Sequence, residues 1–333
     1  MVMIEGYVSG ARANLEEVGF GAKTVAELML PPIQHVEAHD GTSTVFQVYG
    51  DPNESHTLVF TSNSYGNALE DDLPQQVRLA AQFAELGPGY SLVGTQLYHP
   101  KNQRLVSSQV QEVKGGSFLP FAKRFMPVIE KINPRDDQKV VLVGHSKAGD
   151  DMTEVAYQMT KNSNFDGYQV DSIGVFDPGR SESRSAFRVA QALATGAPNL
   201  YQHILASNSI AILESRGIDT SDPKAEKNYQ ATIMKGVLKY FASDIRGNYA
   251  QLQGFRHETT TRQLVELRSE TDAPKILAIR LTEAEVCTNY FVKTLRANGL
   301  PVIEYPSDHS GVDQLEVIAG FTRAATELDR QAA

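Results

Sequence analysis

Short, unbroken runs of apolar residues alternate with helical segments through most of this 333-residue chain. The runs, rich in Val, Leu and Ile, read in chain order HTLVFT, YSLVGTQL, KVVLVG, DSIGVFD, PKILAIRL and LPVIEY. Strands buried on both faces of a parallel sheet have this character, and the helical segments supply the crossovers that parallel strands need. The sequence therefore predicts an α/β fold with a mostly parallel sheet.

The first strands follow a different pattern. IQHVEA and TVFQVYG alternate between apolar and polar residues and are joined by the turn residues HDGT, which predicts an antiparallel β-hairpin. Residues 1–30 precede this hairpin as an N-terminal extension. We expect a short helix over residues 23–30, ended by Pro31 and Pro32.

Strand signals are missing between residues 181 and 272. Helical patterns occupy this stretch at residues 185–195, 201–216, 224–244 and 259–268. The predicted organisation is an α/β core of residues 31–180 and 273–333, interrupted by a helical insertion at 181–272. An insertion at this point would lie over the carboxyl ends of the strands, where open α/β sheets bind ligands, so we expect a lid.

Composition excludes several classes of function. The formal net charge is −9, which argues against nucleic acid as a partner. A single cysteine, Cys287, allows no disulfide within the chain and no Cys-based zinc site. Because the start of the chain lacks a secretion signal and no apolar run reaches about 18 residues, we expect no membrane span and a cytoplasmic location.

One motif carries chemistry. The run KVVLVGHSKAGDD places Gly144, Ser146 and Ala148 directly after a buried strand and before a helix, which is the spacing Gly-x-Ser-x-Gly with Ala in the last place. A nucleophile on such a tight turn needs small residues two before and two after it, because larger side chains would collide with neighbouring elements. The competing role for Ser146 is an ordinary helix N-cap.

On these residues the chain resembles the α/β-hydrolase superfamily, in particular its serine esterases and lipases with a helical lid. The resemblance runs from about Ile33 to the end, with residues 181–272 in the place of the lid. It implies a serine nucleophile, an acid and a late histidine base, in that chain order.

The base and the acid follow from this order. His309 lies in the turn-rich loop VIEYPSDHSG after the last strand, where the family carries its base. The turn TEAE after PKILAIRL offers Glu285, which alignment with the family's turn favours, and Glu283. Asp177, at the end of IGVF, is a third candidate because some lipases of the superfamily carry their acid at that strand.

The resemblance also implies an oxyanion hole built from two backbone N–H groups. Lys147, directly after the nucleophile, would supply one. The second would come from the loop after HTLVF, where the family often has His-Gly and this chain reads TSNSYG. We expect Asn63, or Ser62 in its place, to be the donor.

The expected function is hydrolysis of an ester or related acyl bond through an acyl-enzyme intermediate. A pocket under a lid with this apolar content suits a small, partly hydrophobic substrate. No His-Glu-x-x-His, phosphate-loop or dinucleotide-binding pattern follows a strand, so we predict no metal and no cofactor. The altered TSNSYG loop and the open choice of acid leave an alternative, a catalytically inactive binding or structural protein of this fold. No oligomeric state is predicted.

Overall fold

The computed structural model describes residues 4–20, 23, 27–62, 69, 72–99, 103–161, 168–179, 210–255, 257–283, 287, 289–307 and 315–328. Within these ranges, eight strands form one sheet in the order β1-β2-β4-β3-β5-β6-β7-β8. They are β1 Ile33–Glu37, β2 Ser43–Tyr49, β3 Thr57–Ser62, β4 Tyr90–Gln96, β5 Lys139–His145, β6 Ser172–Phe176, β7 Lys275–Leu281 and β8 Val302–Tyr305. The pairs β1–β2 and β2–β4 are antiparallel and the other neighbouring pairs are parallel. The predicted fold class is therefore confirmed.

Helices pack on both faces of this sheet. In the described part of the chain they are α1 Ile4–Glu17, α2 Leu73–Leu86, α3 Ser107–Lys114, α4 Leu119–Ile132, α5 Lys147–Lys161, α6 Ile210–Ser215, α7 Ala225–Ser243, α8 Ile245–Gly254, α9 Thr259–Arg268, α10 Asn289–Ala297 and α11 Leu315–Thr326. The sequence did not predict α3 or α8. Helix α3 is short and mostly polar with two buried residues, Val110 and Val113, and α8 contains two glycines, so neither shows a strong helical period.

Alternate residues of the central strands point into different clusters of the core. In β5, Val140 and Leu142 belong to one cluster of buried side chains, whereas Val141 and Val143 belong to the other. The strand is therefore covered by apolar side chains on both faces. This double burial is the reason that the central strands read as continuous Val/Leu/Ile runs.

The N-terminal segment differs from expectation. The described residues of the predicted 23–30 helix contain no α-helix, and the helix of this region is α1 instead. Its buried residues Ile4, Val8, Ala11 and Leu15 form one stripe at helical spacing. Helix α1 packs on α11 so closely that a Cβ at Gly320 would lie 2.8 Å from the Tyr7 carbonyl oxygen. Residues 4–17 thus belong to the packed core.

Of the predicted insertion, the structure describes residues 210–255 and 257–272. The prediction at 224–244 matches α7, the prediction at 259–268 matches α9, and α6 lies within the predicted 201–216 helix. The predicted 185–195 helix falls outside the described residues.

A buried arginine holds the chain that leaves β4. Arg124 of α4 is fully buried, and its Nε donates to Asp40 Oδ2 at 2.9 Å. The same guanidinium donates to the carbonyl oxygens of Leu97 at 3.2 Å and Gln103 at 2.9 Å. Burial acts to raise the pKa of Asp40, but the Thr42 hydrogen bond and the charge of Arg124 together lower it to about 2.

This lowered pKa gives a pH dependence of stability. Because the folded-state pKa of Asp40 lies below its unfolded value of 3.8, its ionisation stabilises the fold above about pH 4, and this contribution is lost as the pH falls towards 2. We expect Asp40→Asn to lower the free energy of unfolding at pH 6, with the difference from wild type shrinking between pH 4 and pH 2 in urea titrations. The control is Asp137→Asn, at a carboxylate that is 75% exposed, which should change little. A difference that stays constant over this pH range would contradict the prediction.

Candidate active site

Ser146 occupies the single position between β5 and α5, near the middle of the sheet. Its φ is +56°, in the left-handed region that costs a residue with a Cβ about 1–2 kcal/mol. The Ser146 N–H donates to the Phe176 carbonyl oxygen at 2.9 Å, which fixes the turn against β6. An ordinary N-cap residue has an extended backbone instead, so Ser146 differs from an ordinary N-cap and lies on a tight, left-handed turn between the strand and the helix.

Close packing of the neighbouring small residues maintains this turn. A Cβ at Gly144 would lie 2.3 Å from both the carbonyl carbon and oxygen of Ala148. A Cβ at Gly149 would lie 3.0 Å from the Gly144 carbonyl oxygen and 3.3 Å from Val175 Cγ1. The sequence predicts that the residue two before Ser146 must be small. The reason is that a side chain at Gly144 would collide with the backbone of Ala148, a clash that no side-chain rotation can relieve.

We expect Gly144→Ala to destabilise the protein by about 3 kcal/mol and to reduce any activity of Ser146, because the turn must open. The control is Gly10→Ala in helix α1, where a Cβ would meet nothing within 4 Å, so this variant should not destabilise the protein. Urea denaturation measures both variants, and equal costs would contradict the prediction.

Three of the predicted site residues, His309, Glu285 and Asn63, fall outside the described residues. The segments next to two of them are described and touch. The Glu283 N–H donates to the Ser307 carbonyl oxygen at 3.0 Å, so the connection after β7 contacts the end of β8. These are the connections that carry Glu285 and His309 in the sequence. The Glu283 side chain itself is exposed.

Asp177 is fully buried at the end of β6 and also has a left-handed backbone, with φ of +46°. Its N–H donates to the Ile279 carbonyl oxygen at 2.8 Å, and its Oδ1 lies 3.5 Å from the Leu281 nitrogen. Asp177 thus directly follows β6, which lies in the sheet between β5, the strand that leads to Ser146, and β7. Two strained residues at the ends of adjacent strands are typical of a functional site.

Helix α5 begins with buried charged residues. From the sequence we expect a role only for the backbone N–H of Lys147, not for these side chains. Lys147 Nζ donates to Asp151 Oδ2 at 2.6 Å, with side chains that are 1% and 0% exposed. Ser62 Oγ donates to the same carboxylate oxygen at 3.3 Å. The sequence feature that indicates this ion pair is a lysine and an aspartate four residues apart on the predicted helix after β5, since side chains at this spacing lie on the same helix face.

Asp150, also fully buried, connects α5 to the predicted insertion. Its carboxylate accepts from the Gly179 N–H at 3.1 Å and from the Thr260 hydroxyl at 2.6 Å. Farther along the edge, the hydroxyl of Tyr98, two residues after β4, donates to Asp244 at 3.0 Å. Described residues of the predicted insertion therefore contact the segment after β4 and the first turn of α5.

Other kinds of site find less support. The described residues contain no group of three or more His, Cys, Asp or Glu side chains that could hold a metal ion. In the same part of the chain, no helix is both long and apolar enough to cross a membrane. A polar cleft of about 560 Å³ includes Gln138, Val140 and Asp171 in its lining, at the amino ends of β5 and β6 and so at the opposite edge from Ser146.

Comparison with known proteins gives the fold a name. No family model matches the sequence, and no curated protein matches it significantly. Among solved structures, a naproxen esterase (carboxylesterase NP) from Bacillus subtilis superposes with a TM-score of 0.52 at 14% identity, over 94% of this chain and 95% of its own. A thioesterase domain from the curacin biosynthetic pathway gives 0.50 at 16% identity, over 89% and 99%. A hydrolase from Pseudomonas aeruginosa gives 0.50 at 13% identity, over 84% and 92%.

These likenesses concern the fold, and they agree with the mostly parallel eight-stranded sheet of this structure. The chain therefore has the fold of the α/β-hydrolase superfamily, as its sequence predicted.

Proposed function

We propose that this protein is a serine hydrolase that cleaves an ester or related acyl bond. Ser146 is the nucleophile, His309 its base and Glu285 the carboxylate that orients the imidazole. The backbone N–H groups of Lys147 and Asn63 receive the oxyanion. The observation that carries the proposal is the left-handed backbone of Ser146, buried between a central strand and a helix.

In this mechanism the Ser146 hydroxyl attacks the carbonyl carbon of the substrate while His309 takes its proton. The carbonyl oxygen becomes negatively charged and is stabilised by N–H donors that are already in place. His309 then gives the proton to the leaving group, which leaves an acyl group on Ser146. Water, activated by the same histidine, releases the acid product and restores the serine.

Helix α5 supports this arrangement electrostatically. Lys147 is its first residue, and the first N–H groups of a helix have no partner within the helix. They point towards the Ser146 turn, and the positive end of the helix dipole favours a developing negative charge there.

The choice of acid rests on position. The contact between Glu283 and Ser307 supports Glu285 and His309 as members of neighbouring connections. Asp177, buried beside the Ser146 turn, is the alternative if the β6 position serves instead. Glu283 is the third, although its exposure makes it the least suited to hold an imidazole in place.

The proposed substrate is a small, partly hydrophobic ester, bound under the insertion as a lid. The contacts of Asp244 and Thr260 with residues at the carboxyl edge support this placement. Because the structural neighbours include a carboxylesterase and a thioesterase domain, carboxylic esters and thioesters should be assayed first. No nucleic acid and no cofactor take part, and a cytoplasmic location completes the proposal.

A fluorophosphonate probe tests the nucleophile. We expect wild type to be labelled at Ser146 and Ser146→Ala to remain unlabelled, with turnover of a p-nitrophenyl ester lost to the same degree. The matched control is Ser172→Ala, at a buried serine of β6 whose hydroxyl donates to the Ala325 carbonyl oxygen, and it should be labelled like wild type. Labelling of Ser146→Ala, or none of wild type, would sink the proposal. Labelling without turnover on a broad ester panel would favour a non-catalytic binding protein.

Carboxylate variants test the acid. We expect Glu285→Gln to lower kcat by roughly 10⁴-fold, because the imidazole loses its orienting partner. Glu283→Gln and Asp177→Asn serve as comparisons and should fall by much less. A loss of that size in Asp177→Asn, with Glu285→Gln near wild type, would move the acid to the end of β6.

A further inference from the structure

The ion pair between Lys147 and Asp151 is unusual in its surroundings. Both side chains are almost completely buried, and the ammonium lies 4.4 Å from the ring centroid of Phe121 and 5.8 Å from that of Phe118. Moving two charges out of water is costly, and apolar residues of similar volume often replace such a pair without loss of stability. Stability is therefore a weak reason for the pair, and its placement needs another explanation.

The ion pair connects the start of α5 with the end of β3, next to the Ser146 turn. Asp151 Oδ2 accepts from Lys147 Nζ at 2.6 Å and from Ser62 Oγ at 3.3 Å. Lys147 directly follows the Ser146 turn, whereas Ser62 is the last residue of β3. One carboxylate oxygen thus joins the first turn of α5 to the end of a different strand.

The strand order makes this connection direct. β3 and β5 are hydrogen-bonded neighbours, and Thr61 is paired with Val143, so Ser62 and Gly144 reach the carboxyl edge side by side. In the sequence, Asn63 follows Ser62, just as Lys147 follows Ser146. The two proposed oxyanion donors therefore each lie within one residue of a side chain bound to Asp151.

We propose that Asp151, with Lys147 Nζ and Ser62 Oγ, is a positioning unit that sets the spacing between the two oxyanion donors. This inference rests on the proposed function. All three residues are buried in the protein, so we assign them a positioning role and no contact with the substrate. The carboxylate holds the Lys147 segment and the end of β3 at a fixed separation, so that both N–H groups meet one oxygen. Donors of this kind act in the transition state, and a small displacement weakens them without changing how the ester binds.

The experiment compares kcat and KM on a p-nitrophenyl ester. We expect Ser62→Ala to lower kcat roughly tenfold with KM within about twofold, and Ser62→Thr, which keeps the hydroxyl, to recover most of the loss. The double variant Lys147→Met with Asp151→Leu removes both charges, so no unpaired charge stays buried, and it should show the same fall in kcat. The matched control is Arg323→Met with Glu327→Leu, an i,i+4 pair on the far side of the sheet from α5, which should keep wild-type kcat.

Thermal melting confirms that each variant is folded before its kinetics are compared. Wild-type kcat in both Ser62→Ala and the folded double variant would overturn the inference, as would a rise in KM alone. Such a result leaves the proposed function intact, because Ser146 would still be labelled.

If wild type itself is neither labelled nor active, the proposed function fails, and amide hydrogen exchange decides the positioning role separately. We then expect faster exchange at the end of β3 in Ser62→Ala but not in Ser62→Thr. Equal exchange in the two variants would refute the inference.

Discussion

The site depends on one backbone constraint, the left-handed conformation of Ser146. A residue with a Cβ does not adopt φ of +56° without compensation, and here the compensation is visible. The N–H of Ser146 is bonded to β6, and the backbone around Gly144 and Ala148 is packed too closely to relax. This packing and this hydrogen bond maintain the strained backbone of Ser146 at the end of β5.

The order of the strands places the candidate site residues at one edge of the sheet. Because β3, β5, β6, β7 and β8 are parallel neighbours, their carboxyl ends meet at one edge. Ser62 is the last residue of β3, and Ser146 and Asp177 directly follow β5 and β6, the next two strands in the sheet. The contact between Glu283 and Ser307 joins the segments after β7 and β8. Residues from distant parts of the chain therefore lie along the same edge of the sheet.

Buried charge on α5 fixes what surrounds that edge. Asp151 joins the helix to Lys147 and Ser62, while Asp150 joins it to Gly179 and Thr260. Each carboxylate is fully buried and accepts at least two hydrogen bonds from these groups, which is how a buried charge becomes tolerable. The helix that begins next to the proposed nucleophile is therefore also bonded to the end of β3, beside the proposed oxyanion donor, and to the predicted insertion.

Local patterns were sufficient for the fold and for Ser146. Continuous apolar runs predict strands that are buried on both faces, and the small residues at positions 144 and 148 predict a tight turn. Both patterns can be read from residues that are close together in the sequence. Helices α3 and α8 were missed because their helical signals are weak and tertiary contacts stabilise them. Helix α1 was missed as well, although its buried residues lie at helical spacing. The sequence by itself determined the α/β class, the sheet with its hairpin and the serine on its turn. Only the tertiary structure decided that Lys147, Asp151 and Ser62 share one contact, because Ser62 and Asp151 are 89 residues apart in the chain and such a distant contact leaves no local pattern in the sequence.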